Sequence, residues 1–132
     1  MNFTDEKYYL ISIDTEQDEW GEIITEGYNP KCSPVSDDIL YLNNSIYDEE
    51  RLFIHFADIN HEYNIGPNGE VGAYCWSPDG DRIAYSDRFD NRIYTTDMEG
   101  TLHVQITESE AHCPIDIVWS PDGTKLLYNL NP

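Results

Sequence analysis

Three observations in this sequence predict an all-β chain of repeated four-stranded units, a β-propeller. The pentapeptide WSPDG occurs twice, at 76–80 and 119–123, an offset of 43 residues. Its surroundings repeat with it: CWSPDGDRIAYSD (75–87) matches VWSPDGTKLLYNL (118–130), and a degenerate copy, KCSPVSDDILYLN (31–43), lies 44 residues upstream. Between the copies, short apolar alternations are bounded by Gly, Pro, Asp and Asn, with no helical spacing or caps. Four antiparallel strands per period of about 40–45 residues make a propeller blade.

The clearest unit sets the pattern. VGAYCW (71–76) reads as strand A. The turn after Trp76 has a role for each residue: Ser77 bonds the turn backbone, Pro78 sets φ, Asp79 is a turn former and Gly80 supplies the left-handed position. DRIAYS is strand B, with Ile83 and Tyr85 on one face, and RIYTTD is strand C. MEG makes a tight turn into strand D, TLHVQIT (101–107). The same A–B turn recurs at Trp119, Ser120, Pro121, Asp122 and Gly123. In the upstream copy Cys32 takes the Trp position and Val35-Ser36 replaces Asp-Gly, which weakens that turn. Trp76 and Trp119 are expected to pack between blades, since large aromatics dominate cores.

The intervening segments also repeat. YYLISIDTEQDEWGEIIT (8–25) aligns with NRIYTTDMEGTLHVQIT (91–107), Asp14 on Asp97 and Ile24-Thr25 on Ile106-Thr107. RLFIHFADINHEYNIG (51–66) is a shorter version with Asp58 at the same place. These three aspartates are expected to end strand C and cap the C–D turn. WSPDGDRIAYSD…NRIYTTDMEG…ITE resembles the repeat of TolB-type propellers, which is WD-repeat-like. It is also similar to the propeller domains attached to tricorn-like and prolyl-oligopeptidase-like peptidases.

The register divides the chain unusually. One propeller domain over 1–132 would hold a C–D half-blade (8–25), a blade (28–66), a second blade (71–107) and an A–B half-blade (113–130). The halves sum to a third blade. Three blades are too few to close, because propellers start at about four. Unpaired edges and uncovered apolar faces invite association. A C2 homodimer would solve the geometry: the N-terminal C–D strands of one copy complete the blade begun by the C-terminal A–B strands of the other. Two hybrid blades would close a six-bladed ring, the blade number that the TolB resemblance implies, and C2 is the commonest symmetry. A fragment of a longer propeller is the alternative.

Composition narrows the function. Asp and Glu number 26 against 7 Lys and Arg, a net charge of −19. Nucleic acid is excluded as a partner, because phosphate binding needs a basic surface, and anionic membranes are disfavoured likewise. Cations, basic peptides or basic protein faces stay open as partners, beside the plainer reading that the acidity only keeps the protein in solution. The three cysteines, Cys32, Cys75 and Cys113, have no CxxC spacing. Reduced thiols are expected, and with no signal-peptide pattern at the N-terminus a cytoplasmic location is expected. His61-Glu62 begins a zincin-like string, but Ile65 stands where the second His belongs; no nucleophile elbow, phosphate loop or EF-hand loop is present.

Function in propellers sits where the D–A and B–C loops gather at one rim. Those loops carry Glu26, Tyr28, Asp48, Glu49, Glu50, Asn68, Glu70, Asp87, Asp90, Glu108, Glu110 and His112. Most are expected to be solvated loop charges. The functional expectation is a non-catalytic binding module with an acidic rim, needing no cofactor. The alternative is a metal-dependent hydrolase or lyase with a cation in the channel, where oxygen ligands at this density suit Ca²⁺. His112-Cys113 is too small a ligand set for a soft metal.

Overall fold

In the computed structural model the described residues are 7–16, 21–44 and 49–130. They form β1 (Tyr9–Ser12), β2 (Glu22–Glu26), β3 (Tyr28–Cys32), β4 (Ile39–Asn43), β5 (Arg51–Phe56) and β6 (His61–Asn64). The chain continues through β7 (Val71–Trp76), β8 (Arg82–Asp87), β9 (Arg92–Asp97), β10 (Val104–Gln105), β11 (Ile115–Trp119) and β12 (Leu126–Asn129). Every pairing is antiparallel between sequence neighbours. Two four-stranded sheets, β3-β4-β5-β6 and β7-β8-β9-β10, are flanked by two pairs, β1-β2 and β11-β12. No helix among these residues is long and apolar enough to cross a membrane.

Burial explains why the sheets stack. In β4, Leu40 through Asn43 are all buried; so are Leu52 through His55 in β5 and Ile83 through Ser86 in β8. Consecutive buried residues mean that both faces of these strands are covered. Leu10 of β1 packs with Tyr41 and Phe53. The opposite face of that first sheet, with Leu40, Leu42, Leu52 and Ile54, packs with Tyr74, Trp76, Ile83 and Tyr85 of the second. The second sheet's other face, with Cys75, Ala84 and Ile93, packs with Ile117, Trp119, Leu126 and Tyr128.

The two tryptophans differ. Trp76 is buried and its Nε1 donates to the Lys31 carbonyl at 2.8 Å, tying β7 to β3. Tyr74 Oη donates to Asn29 O at 2.5 Å across the same gap. Trp119 is half-buried, and its ring lies 4.7 Å under the Arg82 guanidinium. Its Nε1 is buried and meets no acceptor among the described residues.

The repeated turns lock in one way. Ser77 N donates to Arg82 O, Gly80 N to Ser77 O, Arg82 N to Ser77 Oγ, and Ser77 Oγ to Asp79 Oδ1 at 2.6 Å. In the later copy Ser120, Asp122, Gly123 and Lys125 repeat each bond, with Ser120 Oγ to Asp122 Oδ1 at 2.7 Å. Gly80 and Gly123 both have φ of 74°, the left-handed position the repeat requires. The hydroxyl donors Ser77, and Ser120 with Thr124, hold Asp79 and Asp122 down at about 2. The upstream copy keeps only the serine's part: Ser33 Oγ accepts from Val35 N and Ser36 N, and Cys32 is exposed.

Two expectations change. Strand D of the second sheet is Val104–Gln105 rather than 101–107. The Asp97 carboxylate accepts from Thr101 N, Thr101 Oγ and Leu102 N, which draws 101–102 into the turn and out of the ladder. Asp14 also bonds locally, to Glu16 N at 2.9 Å. Asp58 does not share this place. Ladder position puts Phe56, paired with His61, at the end of β5, and Asp58 lies exposed two residues further on. There the backbone is held instead by Asp38, whose Oδ1 accepts from Ala57 N at 3.0 Å.

Gly100 joins the two large sheets at this turn. Its φ is 70°, and a Cβ there would stand 2.7 Å from Ile65 Cα and 2.8 Å from Ile65 O. Gly100→Ala is expected to lower stability by more than about 1 kcal/mol, from the left-handed penalty and a clash with backbone. Gly69→Ala, with nothing within 4 Å, should stay within about 0.5 kcal/mol of the parent. Urea unfolding of the two variants measures the difference, and equal midpoints would refute the close inter-sheet contact.

Candidate functional site

Antiparallel order puts the connections after β2, β6 and β10 at the same end of the sheets as the β4–β5 and β8–β9 loops. These segments interlock through their backbones. Val71 N donates to Glu50 O, Arg88 N to Glu70 O, and Glu110 N to Asn91 O. Asn91 Nδ2 returns a bond to Glu110 O at 3.1 Å, and Ser109 Oγ donates to Asp90 O at 2.5 Å.

Over this frame, three strand tyrosines meet three rim carboxylates. Tyr28 Oη donates to Glu50 Oε1 at 2.9 Å, Tyr94 Oη to Asp90 Oδ2 at 2.5 Å, and Tyr128 Oη to Glu110 Oε1 at 3.3 Å. Tyr28 is the first residue of β3, and Tyr94 and Tyr128 lie inside β9 and β12, so the phenols are delivered by rigid elements. Burial and then the Glu50 carboxylate push the Tyr28 phenol up, with Tyr74 and Glu70 adding to it. The bond to Asp90 lifts Tyr94, and burial followed by Glu110 lifts Tyr128. Burial raises Asp87 as well, with Asp90's charge in support.

The expected rim residues therefore fall into two groups. Tyr28, Glu50, Asp90 and Glu110 are engaged in these bonds. Asn68, Glu70, Glu108 and His112 stand exposed in the β6–β7 and β10–β11 connections, and no bond draws them into one cluster. Two residues expected in loops end strands instead. Glu26 closes β2, and Gly27 alone separates it from Tyr28 in β3. Asp87 closes β8, and its Oδ1 accepts from Phe89 N at 2.8 Å. Asp48 lies outside the described residues. Among those described, no three of His, Cys, Asp and Glu are grouped to hold a metal ion.

β3, β7 and β11 meet around a groove of about 420 Å³ that includes Asn29, Lys31, Tyr74 and Asp116. Lys31 dominates it and was not singled out by sequence reasoning. Its Nζ donates to Tyr74 O at 2.6 Å and lies 4.7 Å from the Tyr74 ring centroid. A metal cation entering this groove would face that ammonium. Residue type gave no signal here, since the repeat aligns Lys31 with Cys75 rather than with Tyr74. A second contact that sequence reasoning missed is buried His55, whose Nδ1 lies 2.7 Å from Glu62 Oε1 across β5 and β6.

Known proteins bear on the fold alone. No family model matches the sequence, and no curated protein matches it. Among solved structures 38 chains match. One of them, described as "putative TolB from Agrobacterium tumefaciens", superposes with a TM-score of 0.67 at 21% identity. The match covers 82% of this chain and 40% of that one. The fold is β-propeller-like. The matched part of the chain spans 40% of this TolB-like neighbour, and the all-β architecture with four-stranded antiparallel sheets is common to the expectation and the structure.

The lifted phenols give a direct test. Of the ten tyrosines, Tyr28, Tyr41, Tyr74, Tyr85, Tyr94 and Tyr128 are all pushed up, Tyr41 to about 12 by burial. A phenol raised in the folded chain contributes stability that is present below its ordinary value of about 10 and is lost as pH climbs past it. Absorbance titration at 295 nm should show a group of tyrosines that ionises only above the ordinary phenol range, as the chain unfolds. A single transition for all ten would refute the packing described.

Proposed function

We propose that the chain is a non-catalytic interaction module: two copies close a six-bladed propeller, and the ring presents its acidic rim to a basic peptide or protein. One observation carries the assembly. Side chains of the terminal pairs lie exposed at repeat positions that are buried inside the second sheet. Leu127 is 61% exposed where its repeat equivalent Ala84 is 0%, and Ile13 is 62% exposed where its equivalent Thr96 is 1%. Val118, Ile11 and Ile115 are exposed too. Apolar surface concentrated at both ends of a stack favours a covering partner.

The match covers 40% of a TolB-like chain, which leaves room in such a fold for the strands of a second copy. The net charge of −19 supports a basic partner. At the rim, Glu70 and Glu108 are exposed and available for such a partner, whereas Glu50, Asp90 and Glu110 are bonded to tyrosines.

Light scattering should give the mass of two chains at micromolar concentration. Calorimetric titration with a decalysine peptide should show binding that weakens as salt rises. Glu70→Gln with Glu108→Gln should weaken it by about two- to fivefold per site, the size of exposed charge pairs. A monomeric mass overturns the assembly. Binding unaffected by salt and by both substitutions overturns the acidic rim.

A further inference from the structure

Between the second sheet and the C-terminal pair lies an open groove of about 250 Å³, walled by Ile93, Thr95, Ile106, Trp119, Leu126 and Tyr128. We propose that this groove is the seat of β1 and the Ile13 that follows it from a second copy, a segment that adds to the edge of β12 and inserts Ile11 and Ile13. The inference rests on the two-copy reading and names the contact that makes it.

The interior of the stack supplies the template. Leu52 and Ile54 pair with Leu42 and Leu40 as Ile93 and Thr95 pair with Ser86 and Ala84. Ile65 N bonds Leu52 O as Ile106 N bonds Ile93 O. The groove walls Ile93, Thr95 and Ile106 therefore stand where Leu52, Ile54 and Ile65 stand one sheet earlier. In the interior that wall is covered by the next sheet's third strand: Tyr94 packs on the cluster that holds Leu52, Ile54 and Ile65. At the groove the covering third strand is missing among the described residues of this chain, because the last sheet consists of β11 and β12.

β1 has the matching face. Aligning Asp14 with Asp97 puts Ile11 at the place of Tyr94 and Ile13 at the place of Thr96. Leu10 falls at the place of Ile93, and it already packs on Tyr41 and Phe53 of its own chain. The opposite face of the segment, with Tyr9, Ile11 and Ile13, is exposed. One face of β1 is thus spent within the chain and the other is apolar and uncovered.

Transferring the β8–β9 register gives the pairing. Ile83↔Thr96, Ala84↔Thr95, Tyr85↔Tyr94 and Ser86↔Ile93 become Leu126 opposite Ile13, Leu127 opposite Ser12, Tyr128 opposite Ile11 and Asn129 opposite Leu10. Strand addition would satisfy the backbone edge of β12 as it fills the groove.

Cysteine cross-linking tests the register in the full chain, with Cys32→Ser, Cys75→Ala and Cys113→Ser as background. Directly opposed antiparallel residues have Cα separations of about 4.5–5.5 Å, within disulfide reach. Ser12→Cys with Leu127→Cys should oxidise to a covalent dimer, and Ser12→Cys with Leu126→Cys, displaced to the other face, should not. Ile11→Asp with Ile13→Asp should weaken dimerisation at least about a hundredfold, from two buried side chains lost. These residues are exposed in the single chain, so its circular dichroism should not change. A wild-type dimer with the displaced pair cross-linking instead, or with the aspartate variant still dimeric, overturns this contact and leaves assembly standing. A wild-type monomer overturns both.

Discussion

Burial on both faces of the central strands governs this molecule. A strand such as β8, with Ile83, Ala84, Tyr85 and Ser86 all buried, cannot belong to a sheet with a wet side. Each four-stranded sheet must be sandwiched, and the sandwiching sheet has a second face of its own to cover. Stacking therefore propagates along the chain until something stops it. Burying a large side chain contributes roughly 1.5–3 kcal/mol, so faces left open at the ends of the stack carry a substantial unrealised stabilisation. Side-chain bonds between sheets, such as Trp76 to Lys31 O, set the spacing but do not drive the stacking.

The turns show how a repeated sequence achieves repeated geometry. Serine, aspartate and glycine at fixed offsets bond one another and the backbone identically in two copies. Where the upstream copy lacks Asp-Gly, Ser33 alone organises the bend. The bonds are local and short in sequence, so they form with little loop-closure cost. They leave the strands between them free to vary with what each face must cover: Ala84 lies where the neighbouring sheet comes close, and Leu127 holds the same place at an open end.

Much of the architecture was legible because it is periodic. Strand alternation and the WSPDG turns recur, and recurrence is visible in one sequence. The C–D turn was harder. Asp58 resembles Asp97 in its neighbours, yet the ladder places it two residues later, and residue type cannot report that displacement. Strand D was overestimated because the Asp97 side chain competes with the ladder for the amides at 101 and 102, a contest that hydrophobic pattern does not record. At the rim, the loops were legible from turn residues. The phenol–carboxylate pairs were not, since Tyr94 and Tyr128 sit mid-strand and look like core aromatics. Lys31 was hidden for the same reason: a lone lysine in a strand gives no hint that it lies over Tyr74.

The terminal pairs also set a hazard. If copies complete one another's terminal pairs as proposed, such units need not stop at two. Whether copies return to their starting point depends on the rotation accumulated from sheet to sheet; a small error per sheet turns a ring into an open spiral that grows without limit. The surplus of acidic residues would oppose that outcome, because each added copy would bring 19 more negative charges to the proposed assembly. The acidity would then act as a length control, tolerable in a small closed ring and increasingly costly in a fibre.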